Sequence, residues 1–225
     1  MAVTAILPVP IGFAGRRDAV FASVAGVSPL ARVVRVLEQQ CDVVVASAAP
    51  LAGAVREALA GQNFSRLPVV VSAPSGERVA CLAAGLRGLA EGDEVVVHDI
   101  GWPIVGVGTL GRIIASLRSG AVAVMPASPV TDSVKAIDTG GLLTATLDRS
   151  QLRTVQYPRG FAADVLAKLV KRSGSDTFDE LEAVLSTGTP LTFIEGDDEA
   201  LSVDLPRDAD YLAALITGRQ NLPGR

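Results

Sequence analysis

The stretch that most constrains the fold is EVVVHDIGWPIV, residues 94–105. Val95, Val96 and Val97 are β-branched and show no polar alternation, and turn residues Gly101 and Pro103 follow them. A strand apolar on both faces belongs inside a parallel sheet with helices on each side. The polar pair His98-Asp99 then falls at the carboxyl end of that strand, where open α/β sheets bind their ligands. A carboxylate at that point suits a hard metal ion over phosphates. An aspartate that only caps the next element gives the same pattern.

The remaining chain repeats this theme. Residues 3–7 read as a first strand stopped by Pro8, and 42–46, 67–71, 121–125 and 191–194 read as further strands. Helical spacing of apolar residues covers 30–39, 50–59, 75–89, 107–117, 161–171, 178–186 and a last segment from Pro206 to about Gly218. Strands alternating with helices of roughly a dozen residues specify an α/β, doubly wound, mostly parallel sheet. Hydrophobic residues make up 49% of the chain but aromatics only 4%, so the core must be built from Ala, Val, Leu and Ile. The 225 residues suffice for a single domain, 1–225, with one interruption. From residue 129 to 158 the texture is extended around Thr139-Gly140-Gly141, a hairpin signal. Such an arm presents strand edges that need covering, which favours association with another copy.

Charge and composition exclude several classes. A net charge of -4 and a pI near 5.1 give no general nucleic-acid surface. Any phosphate site must rest on local cations and backbone amides. One histidine and two cysteines without a CxxC pattern exclude an ordinary His/Cys zinc site, and Cys41 and Cys81 read as reduced, buried and inert. Mean hydropathy is +0.40, yet no uncharged apolar run reaches about 18 residues. The first ten residues also lack a basic leader pattern, so the expectation is a cytoplasmic protein without membrane contact. The loop PVPIGFAGRR, residues 8–17, follows the first strand. Its glycines would let backbone N–H groups approach an anion, and Arg16 and Arg17 would pair with phosphates. It matches neither GxGxxG nor a P-loop, and a plain surface loop fits it as well.

The order of motifs carries a resemblance. AILP near the start, GERVACLAAGL at 76–86 and VHDIGWP at 97–103 are followed by PVTDSVKAID at 129–138, DRSQLRTVQYPRGF at 148–161 and FDELEAVLSTG at 178–188. In this series the chain resembles the 2-C-methyl-D-erythritol 4-phosphate cytidylyltransferases. The resemblance implies a Rossmann-like sheet and a homodimer made through the β-hairpin arm. It implies a reaction of CTP with a sugar-alcohol phosphate in non-mevalonate isoprenoid synthesis, releasing pyrophosphate and needing Mg²⁺. Under it Arg16, Arg17 and Asp99 are catalytic, with Asp99 on the metal. Pro8, Gly12, Gly15, Ser75, Gly76, Glu77 and Cys81 face the nucleotide. Ser133, Arg149 and Asp179 face the acceptor, and Arg149 reaches it from the partner subunit.

The same alignment of motifs exposes departures. Ala19 stands at the first-loop lysine, Trp102 at the substrate arginine, Ser202 at the late lysine and Phe178 at the acceptor threonine. Cys81 replaces a base-side serine, Tyr157-Pro158-Arg159 replaces TPQ, and Pro8 and Pro10 remove backbone donors. Losing one positioned cation costs roughly 10²–10³ in rate. Arg17, Lys135 and Arg207 are candidate substitutes. The sequence therefore leaves three functions open: the family's enzyme, a nucleotidyltransferase of other specificity, and an inactive paralogue with a structural, regulatory or partner-binding role. The last of these includes pairing with a true family enzyme.

Overall fold

The computed structural model describes residues 3–173 and 178–220. In chain order the elements are β1 (Val3–Val9), α1 (Asp18–Phe21), α2 (Pro29–Leu37), β2 (Asp42–Ser47), α3 (Ala49–Ala60), β3 (Val69–Val71), α4 (Arg78–Gly85), β4 (Glu94–Val97) and α5 (Val107–Arg118). Then come β5 (Ala123–Pro129), β6 (Lys135–Ile137), β7 (Leu143–Thr146), β8 (Arg153–Val155), β9 (Arg159–Ala162), α6 (Ala163–Arg172), α7 (Glu180–Thr187), β10 (Thr192–Glu195) and α8 (Ala209–Gln220).

The main sheet runs β10-β5-β9-β4-β1-β2-β3, with β8 paired to the outer end of β5. The β1–β2, β1–β4, β2–β3 and β10–β5 pairings are parallel, and β8 and β9 run against their neighbours. The alternation of side chains builds a core on each face. Ala5, Leu7, Val9, Val45 and Val96 meet α2, α3 and α5, whereas Ile6, Ala46, Val95, Val97 and Phe161 meet α4 and α6. Buried on both sides, these strands need the continuous apolar runs seen in the sequence. Ser28 caps α2 through the Ala31 N–H, and Pro29 opens the helix where its missing donor costs nothing.

Two differences from the sequence expectations have physical reasons. Pro8 does not stop β1, which continues through it to Val9 and pairs Pro8 with Ala46. The Ile6 carbonyl accepts the His98 N–H on the β4 side, so the missing N–H of Pro8, two residues on, falls on that same side. There β4 has already ended at Val97. The segment expected to begin a helix at Phe161 is instead strand β9, inserted between β4 and β5. It fits because Gly160 passes directly over Ile113 and Leu117 of α5, where no side chain has room.

The arm at 129–158 holds the β6–β7 hairpin as a separate two-stranded sheet. Asp138 Oδ1 accepts the N–H groups of Gly140 and Leu142, each at 2.9 Å, and Gly141 takes the left-handed turn with φ +84°. Among the described residues no helix is long and apolar enough to cross a membrane.

Candidate functional site

The carboxyl ends of β1 and β4 bring the first loop and the 98–102 turn to one side of the sheet, as expected for an open α/β fold. The first loop is a short 3-10 turn at Ile11–Phe13 that leads into α1. The Ile11 N–H donates to the Gly76 carbonyl at 2.8 Å, tying this loop to the turn before α4. Gly76 sits there with φ +67°, and a side chain would press on Ala48 and Ile11. Cys81 is buried one turn into α4, its thiol 3.7 Å from the Gly76 carbonyl, and burial raises its pKa. Thus Gly76 and Cys81 are brought together beside the first loop, and Pro8 is buried in β1, paired with Ala46. Gly12, Gly15, Arg16 and Arg17 lie exposed along it, Ser75 is exposed, and Glu77 precedes α4 without capping it.

Asp99 lies two residues beyond the end of β4, within a hydrogen-bonded turn. Its Oδ1 accepts the Gly101 N–H at 2.8 Å, and its carbonyl accepts the Trp102 N–H at 3.0 Å. Its Oδ2 lies 2.7 Å from Nη1 of Arg78, the first residue of α4. Arg78 also reaches Glu180 Oε1 through Nε at 2.9 Å and the Tyr157 hydroxyl through Nη2 at 3.1 Å. Tyr157 donates to Glu180 Oε2 at 2.8 Å. Arg159 places Nη1 2.9 Å from Asp179 Oδ2 and 2.8 Å from Glu180 Oε2, with its guanidinium 4.1 Å above the Tyr157 ring. Two guanidiniums therefore face three carboxylates, with a tyrosine ring between them. Glu180 is wholly buried, which is tolerable for a carboxylate only with such partners. Asp179 additionally caps α7 through the Leu181 and Glu182 N–H groups.

The electrostatics follow from burial and pairing. Burial alone would lower the Arg78 pKa, but the carboxylates of Glu180 and Asp99 hold it above its ordinary value. Burial pushes the Tyr157 hydroxyl up. For Asp179, burial raises the pKa, yet Arg159 and the helix N–H groups bring it below the usual carboxylate range. His98 is fully buried and its Nε2 lies 2.9 Å from the Trp102 carbonyl, which assigns the proton to Nε2; burial brings its pKa down to about 4.

The donor set decides what a divalent ion would find here. Both oxygens of Asp99 are engaged, the neighbouring carboxylates are committed to Arg78 and Arg159, and no group of three or more His, Cys, Asp or Glu side chains among the described residues is arranged to hold a metal. These residues do not make a ready cage for a resident Mg²⁺; a guanidinium already balances Asp99.

The remaining expected residues lie apart. Ser133 is exposed on the arm, and Arg149 donates to the Thr131 carbonyl within it. Of the positions that the order of motifs reads as departures, Trp102 is half-buried with its ring 6.0 Å from that of Tyr157, Phe178 is buried in the α6 face of the core, Ala19 is buried under the first loop and Ser202 is exposed. Tyr157 and Arg159, which the motif comparison marks only as departures, are central to the cluster. A charge placed next to an apolar strand segment, as in YPRGF, was the available signal, because a buried arginine must have an anionic partner.

Comparison with known proteins agrees with this architecture. The sequence profile of 2-C-methyl-D-erythritol 4-phosphate cytidylyltransferase, IspD, matches residues 13–218. The chain is 34% identical over 164 residues to the 2-C-methyl-D-erythritol 4-phosphate cytidylyltransferase of Rhodococcus opacus, covering 72% of this chain and 73% of the relative. It is 33% identical over 198 residues to that of Saccharopolyspora erythraea, covering 86% and 88%. The crystal structure of the Thermus thermophilus protein of that name superposes with a TM-score of 0.73 at 24% identity, covering 96% of this chain and 100% of the other. A 4-diphosphocytidyl-2C-methyl-D-erythritol synthase from Anaerococcus prevotii gives 0.77 at 17% identity, covering 96% and 98%. Both structural likenesses concern the fold, while the profile and the sequence relatives carry the lineage: this chain belongs to the 2-C-methyl-D-erythritol 4-phosphate cytidylyltransferase family.

Proposed function

We propose that the chain is a nucleotidyltransferase that joins the cytidylyl group of CTP to a sugar-alcohol phosphate and releases pyrophosphate, as a step of isoprenoid synthesis. The supporting observation is the bond from Ile11 to Gly76, which joins the arginine-bearing first loop to the turn before α4 beside Asp99. In this reading an acceptor phosphate oxygen forms a bond to the α-phosphorus of CTP, and the bond from that phosphorus to the bridging oxygen of the β-phosphate breaks. The pentavalent centre gathers negative charge, so the chain contributes position and cations. Arg16 and Arg17 face the phosphates, with Pro8, Gly12 and Gly15 shaping the loop. Ser75, Gly76, Glu77 and Cys81 form the base side. Asp99, held by Gly101 and Arg78, fixes the turn between nucleotide and acceptor, and Asp179 secures the floor beneath the acceptor. Mg²⁺ enters as part of the nucleotide substrate, bound to its phosphates.

Two copies joined through the arm complete the acceptor side. The hairpin exposes Ile137, Leu142, Leu143 and Leu147, and Ser133 and Arg149 ride on the same arm. A second reading, a paralogue that keeps the fold without turnover, is favoured by the pairing of Arg78 and Arg159 with two protein carboxylates each.

A pyrophosphate-release assay with CTP, Mg²⁺ and 2-C-methyl-D-erythritol 4-phosphate, run beside the other nucleoside triphosphates, tests the proposal. Turnover with CTP supports it. Calorimetric binding of CTP without turnover moves the search to other acceptors. A folded protein that neither binds nor turns over any nucleotide overturns it in favour of the paralogue.

A further inference from the structure

Gln156, the residue after β8 on the return from the arm, is only 4% exposed, and its amide is met on both sides by one distant segment. Its Oε1 accepts the Asp197 N–H at 2.9 Å. Its Nε2 donates to the Asp197 carbonyl at 2.8 Å and to the Ala200 carbonyl at 3.4 Å. The backbone of Gln156 is already fixed, because its own N–H donates to the Pro126 carbonyl of β5 at 2.9 Å. The sheet therefore does not need the side-chain amide; the segment does. Residues 196–208 carry neither helix nor strand, so no ladder places them, and their buried backbone groups must find other partners. An amide that takes both backbone groups of Asp197 supplies what a neighbouring strand would have supplied.

The fit around this tie is close. Gly196 runs so near Gln156 Oε1 and Ser128 Oγ that a side chain has no room, and Gly106 leaves space for the Asp197 carboxylate at the start of α5. The Ala200 N–H returns to the Asp197 carbonyl at 3.0 Å, and the Glu199 N–H to Asp197 Oδ1 at 2.9 Å, which closes a turn. The far end of the segment reaches the turn after β4. There the Val203 N–H donates to the Gly101 carbonyl at 2.8 Å, while the Gly101 N–H holds Asp99 Oδ1 at 2.8 Å. Val203 is buried beside Ile104 and Leu212, so this end cannot swing freely. One series of contacts thus runs from Gln156 through Asp197, Val203 and Gly101 to the Asp99 carboxylate.

We infer that Gln156 is a positioning residue: through the 197–203 segment it sets where the Gly101 carbonyl stands, and with it the Asp99 carboxylate and Trp102 on the acceptor side of the site. The consequence for catalysis rests on the transferase reading above; the tie itself does not. The nucleotide side has its own anchor, the bond from Ile11 to Gly76, so loss of the Gln156 amide falls on the acceptor. Placement of this kind is worth much in rate, since a small displacement of a positioned group removes a productive geometry.

Trp102 is the chain's single tryptophan and lies in the turn itself, so its fluorescence reports the far end of the tie with no substrate present. Gln156→Met keeps the length of the side chain and removes both hydrogen-bonding ends. Acrylamide quenching of Trp102 in the full chain should rise about twofold in this variant as the turn opens locally. In pyrophosphate release, KM for 2-C-methyl-D-erythritol 4-phosphate should rise about tenfold while KM for CTP moves by less than about twofold. Leu59→Val, buried at the end of α3, lowers stability without touching the segment and should leave quenching as in the wild type. Hydrogen exchange of the wild type gives a measurement free of any folding defect, in which the Asp197 and Val203 amides are slowed together. Quenching in Gln156→Met no higher than in Leu59→Val, or fast exchange at Val203 beside slow exchange at Asp197, overturns the tie. Equal rises in the two KM values overturn its assignment to the acceptor side. Raised quenching with no turnover even by the wild type leaves the tie standing and removes the transferase reading.

Discussion

Glu180, with no exposed surface, is bonded to Nε of Arg78 through Oε1 at 2.9 Å, while Oε2 takes Tyr157 and Arg159 at 2.8 Å each. Every face of this carboxylate is met, and it joins the starts of α4, α7 and β9. Removing its charge leaves Arg78 and Arg159 desolvated with fewer anions than they need. Glu180→Gln is expected to cost about 3–5 kcal/mol, as breaking a buried pair typically does. Urea unfolding gives the value. The exposed pair of Lys168 with Asp164 at 2.7 Å serves as control, because Asp164→Asn should change stability by less than about 1 kcal/mol. Equal losses from the two substitutions would deny the network its structural role.

The chain's single histidine makes a pH prediction separable from other groups. His98 is buried neutral and its pKa falls from 6.5 to about 4, with burial as the main cause. The unfolded chain therefore binds a proton that the folded chain refuses between those values. The stability His98 contributes is fully present above 6.5 and is lost as pH falls from 6.5 toward 4. The loss amounts to about 3 kcal/mol at most across that window. Asp179, whose pKa is depressed mainly because Arg159 outweighs burial, adds a separate loss at more acid pH. Unfolding free energies at pH 7.5 and pH 5, compared between wild type and His98→Gln, should show a steeper fall in the wild type. Parallel slopes would mean that His98 takes up its proton in the folded protein as readily as in the unfolded chain.

The scaffold was far more legible in the sequence than the site. Val95–Val97 and Ile6–Leu7 declare buried strands because both of their faces must be apolar, and this constraint is local. Strand β9 escaped because four residues, Arg159–Ala162, have too short a period to compete with the helical spacing that follows, and because Gly160 takes its meaning from Ile113 and Leu117 on a distant helix. Asp99 stood out by its place after a strand. Its partner Arg78 was named only as part of a motif, since nothing local says that α4 begins 2.7 Å from it. Tyr157 and Arg159 stand out in the sequence only as departures from a motif, although in three dimensions they supply a hydroxyl and a cation to buried Glu180, and Arg159 also pairs with half-exposed Asp179.

The arm carries a prediction about assembly. Ile137, Leu142 and Leu143 are each more than 60% exposed on a two-stranded hairpin, and such a hairpin is marginal in water without a partner surface. If two copies cover one another here, the double substitution Leu142→Asp and Leu143→Asp places like charges across that contact and should convert a dimer to a monomer. Light scattering after gel filtration measures the mass directly. Far-ultraviolet circular dichroism should remain unchanged, since these side chains make no contribution to the main core. A wild-type monomer would remove the arm from the acceptor site altogether.

Trp102 offers the sharpest test of the acceptor side. Its backbone is pinned twice, by the Asp99 carbonyl and by His98 Nε2, so the turn should survive a change of side chain. Its indole is only half-buried, tilted 57° against Tyr157. The surrounding cluster sets two guanidiniums against three carboxylates, and a third guanidinium is electrostatically admissible there. If the indole stands where the acceptor's phosphate should be held, Trp102→Arg adds one charge-assisted contact. A contact of about 1.4 kcal/mol corresponds to tenfold in kcat/KM. Pyrophosphate release with 2-C-methyl-D-erythritol 4-phosphate should rise by roughly that factor, with a midpoint of unfolding close to that of the wild type. Unchanged or lower turnover from an equally stable variant would place Trp102 outside the acceptor's path, and would leave its contact with Tyr157 as its whole function.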